Sequence, residues 1–146
     1  MSLPSGAYII NSLGSPGGSY LARESGDTLL PKKVFVLPPG TEAPTWVVTQ
    51  LDNGRYKLET GDGSAGVIDG KVYAIGVLES REQWILTYQD LQGAYTVERA
   101  SQEEGWVAPD GIGPDAQLES RPLIVMPSEP PQYLPSELFI FSPVEQ

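Results

Sequence analysis

Cysteine and histidine are both absent from the 146 residues. Without cysteine there can be no disulfide staple, no thiol nucleophile and no zinc-thiolate centre, so stability must come from burial alone. Without histidine a serine nucleophile would lack its usual base, which leaves only Ser-Lys or two-carboxylate schemes and argues against an enzyme. Basic residues are sparse: 9 Lys and Arg stand against 19 Asp and Glu, a formal charge of -10. Nucleic acids and anionic membranes both reward clustered Lys and Arg, so neither is an expected partner. The apolar runs are only a few residues long, and Met1-Ser2-Leu3-Pro4 has neither the basic nor the apolar region of a secretory signal. A cytoplasmic protein forming one domain over residues 1–146 is the expectation.

Helical periodicity is also missing, and what stands in its place is repetition. Trp46-Val47-Val48-Thr49 is echoed by Trp84-Ile85-Leu86-Thr87 and more weakly by Leu138-Phe139-Ile140-Phe141. A second pattern, Gly6-Ala7-Tyr8-Ile9-Ile10, recurs as Gly54-Arg55-Tyr56-Lys57-Leu58 and Gly93-Ala94-Tyr95-Thr96-Val97. The spacing of roughly 40 to 50 residues is that of a repeat architecture. Short β-branched or aromatic runs fill the intervals: Tyr20 to Arg23, Val34 to Leu37, Ala65 to Ile68, Val72 to Ile75, Gly105 to Ala108 and Leu123 to Met126. Asp52-Asn53-Gly54 and Asp69-Gly70 are hairpin signals. Sixteen glycines and fourteen prolines supply the other corners. About twelve strands in three four-stranded units predict an all-β trefoil, a pseudo-threefold barrel closed by a hairpin cap. Tyr8, Tyr56 and Tyr95 should open equivalent strands, and Trp46, Trp84 and Leu138 should be equivalent in turn. Val34 to Leu37, Val72 to Ile75 and Leu123 to Met126 take the third position of each unit.

Several further groupings carry no chemistry on this reading. Asp110-Gly111-Ile112-Gly113-Pro114-Asp115 lacks the alternating oxygen ligands and closing glutamate of a calcium loop and reads as a turn, so no metal and no cofactor are expected. Glu103-Glu104 and Glu59 with Asp62 are acidic pairs that nothing in the sequence brings into one cleft. The sugar-binding trefoils carry Gln-x-Trp strands. Here Glu82-Gln83-Trp84 and Pro44-Thr45-Trp46 lack glutamine at that offset, and Trp46 and Trp84 read as core.

Gly105-Trp106-Val107-Ala108-Pro109-Asp110, Arg121-Pro122-Leu123-Ile124-Val125, Pro127-Ser128-Glu129-Pro130-Pro131 and Leu30-Pro31-Lys32-Lys33-Val34 together resemble the mushroom serine protease inhibitors of the cospin and cnispin type, nearly end to end. The resemblance implies a cytoplasmic β-trefoil that blocks a target protease, a serine protease first of all, by inserting an exposed loop. It points to the segment between the second and third strands, Glu24-Ser25-Gly26-Asp27-Thr28-Leu29-Leu30-Pro31, with Ser25, Gly26, Asp27, Thr28 and Leu29 as the protease-binding residues. The residues suit that role, because a loop held at both ends loses little entropy on entering a cleft. The resemblance further implies a basic residue at the specificity position, where this chain carries Asp27. An acid there opposes the carboxylate of a trypsin-type pocket and disfavours trypsin. Arg23 and Lys32, in the same excursion, are alternative anchors with structural roles favoured for both. Inhibition of cysteine or aspartic proteases through other loops, and carbohydrate binding, are the competing functions.

Overall fold

The computed structural model describes residues 3–14, 20–24, 30–38, 40, 42–61, 63–76, 82–101, 103–109, 116–128 and 132–144. Within them the first unit consists of β1 (Gly6–Ser12), β2 (Leu21–Arg23), β3 (Lys32–Val36) and β4 (Trp46–Gln50). The second consists of β5 (Tyr56–Thr60), β6 (Gly63–Ile68), β7 (Lys71–Gly76) and β8 (Trp84–Gln89). The third has β9 (Ala94–Arg99), β10 (Gly105–Val107) and β11 (Glu119–Arg121). A small hairpin of β12 (Val125–Met126) and β13 (Gln132–Tyr133) follows, then a 3-10 turn over Pro135–Glu137 and β14 (Phe139–Pro143). The fold is a β-trefoil.

Register makes the pseudosymmetry explicit. First and fourth strands alternate around the barrel, and Tyr8 lies opposite Trp46, Tyr56 opposite Trp84, and Tyr95 opposite Phe139. The third equivalent of the tryptophans is therefore Phe139 and not Leu138, which is itself buried one residue before β14 begins. The cap repeats the rule, for Lys33 pairs with Tyr73, Lys71 with Glu119 and Gln117 with Phe35. Val34, Val72 and Leu118, all fully buried, meet at the axis; Leu118 N–H donates to the Val34 carbonyl and Val72 N–H to that of Leu118. Glu119–Arg121 is thus the third strand of its unit. The expected strand Leu123 to Met126 lies outside the cap, with Ile124, Val125 and Met126 exposed in the β12–β13 excursion.

Burial follows the period of two in β1 and β5, where Tyr56, Leu58 and Thr60 of β5 point inward, while β6, β9 and β10 are buried in continuous runs. Trp106 fills the centre of the barrel. Its ring lies 6.0 Å from Trp46, 5.4 Å from Trp84 and 5.7 Å from Phe139, so the symmetry-related aromatics converge on one side chain. Leu21 and Ala65 occupy the same register in the other units, and the single indole fills the space those smaller residues leave. Trp46 Nε1 donates to the Leu21 carbonyl at 3.0 Å and Trp84 Nε1 to that of Ala65 at 3.1 Å. Trp106 Nε1 has no hydrogen-bond partner among the described residues. The Asp69-Gly70 turn joins β6 to β7 with φ of 51° and 76°, the positive pair that a two-residue hairpin requires.

Candidate functional site

Ser25, Gly26, Asp27, Thr28 and Leu29 lie outside the described residues, but the ends of their excursion do not. The β2–β3 ladder runs through Leu21–Val36, Ala22–Phe35 and Arg23–Val34. Beyond it, Glu24 N–H donates to the Lys33 carbonyl at 2.9 Å, and the Glu24 carboxylate accepts from Lys33 N–H at 2.9 Å. On the exit side Lys32 is buried and its Nζ donates to the Leu30 carbonyl at 3.0 Å, while the Leu30 side chain is 72% exposed. The neck of the excursion is closed, and an apolar side chain projects from its rim.

The two alternative anchors are built into the scaffold. Lys32 keeps its ammonium on the protein's own backbone. Arg23 is the last residue of β2; it donates to the Glu24 carbonyl at 3.3 Å and lies across Gly61, where a Cβ would come within 2.4 Å of its Nε. Gly61 has a φ of +60°, so only glycine serves both the turn and the guanidinium packed on it. A cleft of about 360 Å³ opens beside this neck between Ala22, Arg23, Glu24, Pro44, Thr45, Thr60 and Gly61.

A second projecting element, unforeseen in the sequence, is the excursion from Pro122 to Leu134. Glu137 anchors it from the 3-10 turn. Its buried carboxylate accepts Leu134 N–H at 2.9 Å through one oxygen and the closer Ile124 N–H through the other. Gln92, in the β8–β9 turn, adds a side-chain imitation of a ladder pair, donating to the Tyr133 carbonyl at 2.8 Å and accepting Tyr133 N–H at 3.0 Å. Burial, then the charges of Glu98 and Glu137, push the Tyr133 phenol above its ordinary pKa. Ile124, Val125 and Met126 on its first arm are exposed and apolar, with Ile124 61% accessible, and Gln132 on the second is exposed and polar.

The acidic pairs do other work or stand apart. Glu104 shares Arg99 with Glu82, both at 3.0 Å, and also accepts from Ser120. Glu82, against the opposing effect of burial and with help from Glu104, raises the Arg99 pKa above its ordinary value, so this ion triad is structural. Glu59 is on β5, whereas Asp62 and the Asp110 to Asp115 segment lie outside the described residues. Among the described residues no three His, Cys, Asp or Glu are grouped to hold a metal ion, and no helix is long and apolar enough to cross a membrane. Trp46 and Trp84 are fully buried and offer no face to a sugar.

The scaffold and the whole sequence have known counterparts. A proteinase inhibitor from Coprinopsis cinerea superposes with a TM-score of 0.87 at 34% identity, covering 98% of this chain and 100% of that one. A protein from Lentinula edodes described as a serine protease inhibitor is 30% identical over 144 residues, 94% of this chain and 96% of its own length. The trefoil alone reaches further: a mosquitocidal holotoxin shares it at a TM-score of 0.74 with 10% identity over 97% of this chain and 17% of its own. Residues 1–143 match the peptidase inhibitor I66 family, and the chain belongs to that family.

Proposed function

We propose that the protein inhibits serine proteases by presenting the β2–β3 excursion to the protease cleft, with Asp27 at the primary specificity position. The closed neck carries this reading: Glu24 and Lys33 hold the entry, Lys32 fixes the carbonyl of Leu30 at the exit, and the apolar rim is exposed. A segment held in this way gives up little conformational freedom on docking. Family membership and the inhibitor relatives from Coprinopsis cinerea and Lentinula edodes support the activity class. Ser25, Gly26, Thr28 and Leu29 would then lie along the cleft as a substrate does. Asp27 selects a pocket with a basic floor and repels one with a carboxylate at its base. Arg23 and Lys32 act in the scaffold and not as specificity residues.

A second reading, inhibition of another protease class through a different loop, is favoured by the Pro122 to Leu134 excursion. It carries the exposed apolar run Ile124 to Met126 and is pinned by Glu137 and Gln92. A protease panel separates the two. The protein is expected to inhibit a serine protease and to spare trypsin, and Asp27→Arg should gain trypsin inhibition by at least 100-fold, or about 2.8 kcal/mol. Tight inhibition of trypsin by the unsubstituted chain, unchanged in Asp27→Arg, would refute the assignment of Asp27. Loss of cysteine or aspartic protease inhibition on replacing Ile124 to Met126 would establish the second reading.

A further inference from the structure

The bond pattern at the neck departs from an ordinary ladder in one respect. Tyr20 and Leu37 mark a hydrogen-bonded position of the β2–β3 pair, for Leu37 N–H donates to the Tyr20 carbonyl at 2.8 Å. Four residues along, in the same register, Glu24 faces Lys33 and should exchange two backbone bonds with it. Only one is backbone, from Glu24 N–H to the Lys33 carbonyl. The other acceptor is the Glu24 side chain, which takes Lys33 N–H at 2.9 Å, while the Glu24 carbonyl receives Arg23 NH1 at 3.3 Å. The main chain leaves the sheet at Glu24, and a carboxylate replaces the carbonyl that has turned away.

We infer that Glu24 is a positioning residue, a carboxylate clasp that holds the two ends of the β2–β3 excursion together at the point where they would otherwise separate. The clasp rests on the reading of this excursion as the inhibitory element. A backbone–backbone bond would force the chain to continue as a tight hairpin, and a bare neck would let its ends drift. A charge-assisted side-chain bond lets the backbone diverge into a wide loop and keeps the gap closed. For an inhibitor cut in its loop, a closed neck keeps the new termini beside each other, which disfavours hydrolysis against rejoining. Glu24 is thus placed to decide whether the loop behaves as an inhibitor or as a substrate.

The test compares Glu24→Gln, which retains the acceptor oxygen, with Glu24→Asp, which keeps the charge but is shorter by one methylene, and with Glu24→Ala. Lys33 amide exchange should rise roughly 10-fold or more in Glu24→Asp and Glu24→Ala, from the loss of one hydrogen bond to a charged group, and by clearly less in Glu24→Gln, which keeps the bond without its charge. Thermolysin, which prefers bulky apolar residues such as Leu29 and Leu30, should nick the first two faster by a similar factor, with melting temperatures shifted by no more than about 3 °C. Against a serine protease that the parent inhibits, both should become substrates, weakening as inhibitors while the loop peptide is hydrolysed, and Glu24→Gln should keep most of the inhibition. Unchanged Lys33 exchange and nicking in Glu24→Asp overturn the clasp, whatever the target. If the parent inhibits no serine protease while exchange and nicking follow the expected pattern, the clasp stands and the inhibitory reading of the loop falls.

Discussion

Replacing each buried tryptophan by phenylalanine separates packing from hydrogen bonding inside this barrel. Trp46, Trp84 and Trp106 are all fully buried, so Trp→Phe removes the same volume at three neighbouring sites. The hydrogen bonds differ. Trp84→Phe deletes the donor to Ala65 and Trp46→Phe the donor to Leu21, a net loss of about 1 kcal/mol each. Trp106→Phe deletes an indole N–H with no partner among the described residues, relieving a desolvation cost of about 1–3 kcal/mol. Trp106→Phe should therefore be less damaging than either of the others by at least about 2 kcal/mol, roughly 4–8 °C or more in melting temperature for a chain of this size. Truncation to alanine should cost about 3–5 kcal/mol at every one of the three sites, because each leaves a cavity in the same cluster. Urea denaturation with unchanged m-values measures the differences. If Trp106→Phe proves as costly as Trp84→Phe, the unpaired indole is not a source of strain and the reasoning fails.

The remaining expectations concern charge. Burial raises the Glu98 pKa, so the native state holds its proton more tightly than the unfolded chain does, and stability falls as pH rises through the raised value. Glu98→Gln should melt higher than the parent near pH 7 and equally near pH 3, and a constant offset at both would contradict this. Glu137→Ala should leave the N–H groups of Ile124 and Leu134 without their acceptor, cost about 2 kcal/mol and speed exchange at these two amides above all others, as NMR would report.

The trefoil was legible where large aromatic residues repeat. Tyr8, Tyr56 and Tyr95 lie at or near the starts of β1, β5 and β9 in equivalent register, where a tyrosine can be buried on a barrel wall while its hydroxyl finds a carbonyl, as Tyr8 does with Pro4 and Tyr56 with Leu3. The third unit resisted for two reasons. Leu138 and Phe139 are both apolar and both buried, and only the pairing with Tyr95 tells which is the tryptophan equivalent. Glu119-Ser120-Arg121 escapes a search for apolar or aromatic runs because the apolar member of that cap strand, Leu118, precedes it. Ile124, Val125 and Met126 read as core and instead face outward. Trp106 was recognisable as a strand residue, but its place at the axis depends on the small Ala65 in an equivalent register, a relation between residues far apart in sequence. At the neck, the flanking strands were visible and Glu24 was not, since nothing local distinguishes a glutamate that caps a ladder from one that faces water.

The pairing of β1 with both β14 and β4 has a consequence for the fate of a cleaved molecule. From Tyr8 to Ser12, β1 is laced to the last strand, its Gly6 to Tyr8 end lies along β4, and β2 lies along β3. A cut between Glu24 and Lys33 separates the chain into a short amino-terminal piece and a long remainder, yet every strand of the short piece is bonded to strands of the long one. Neither piece has a complete barrel to retreat into, because Ile10 and Leu21 on one and Trp46 and Phe141 on the other are all buried in a shared core. A single cleavage thus yields a two-chain complex with the original shape, in which the severed ends remain tethered to adjoining strands.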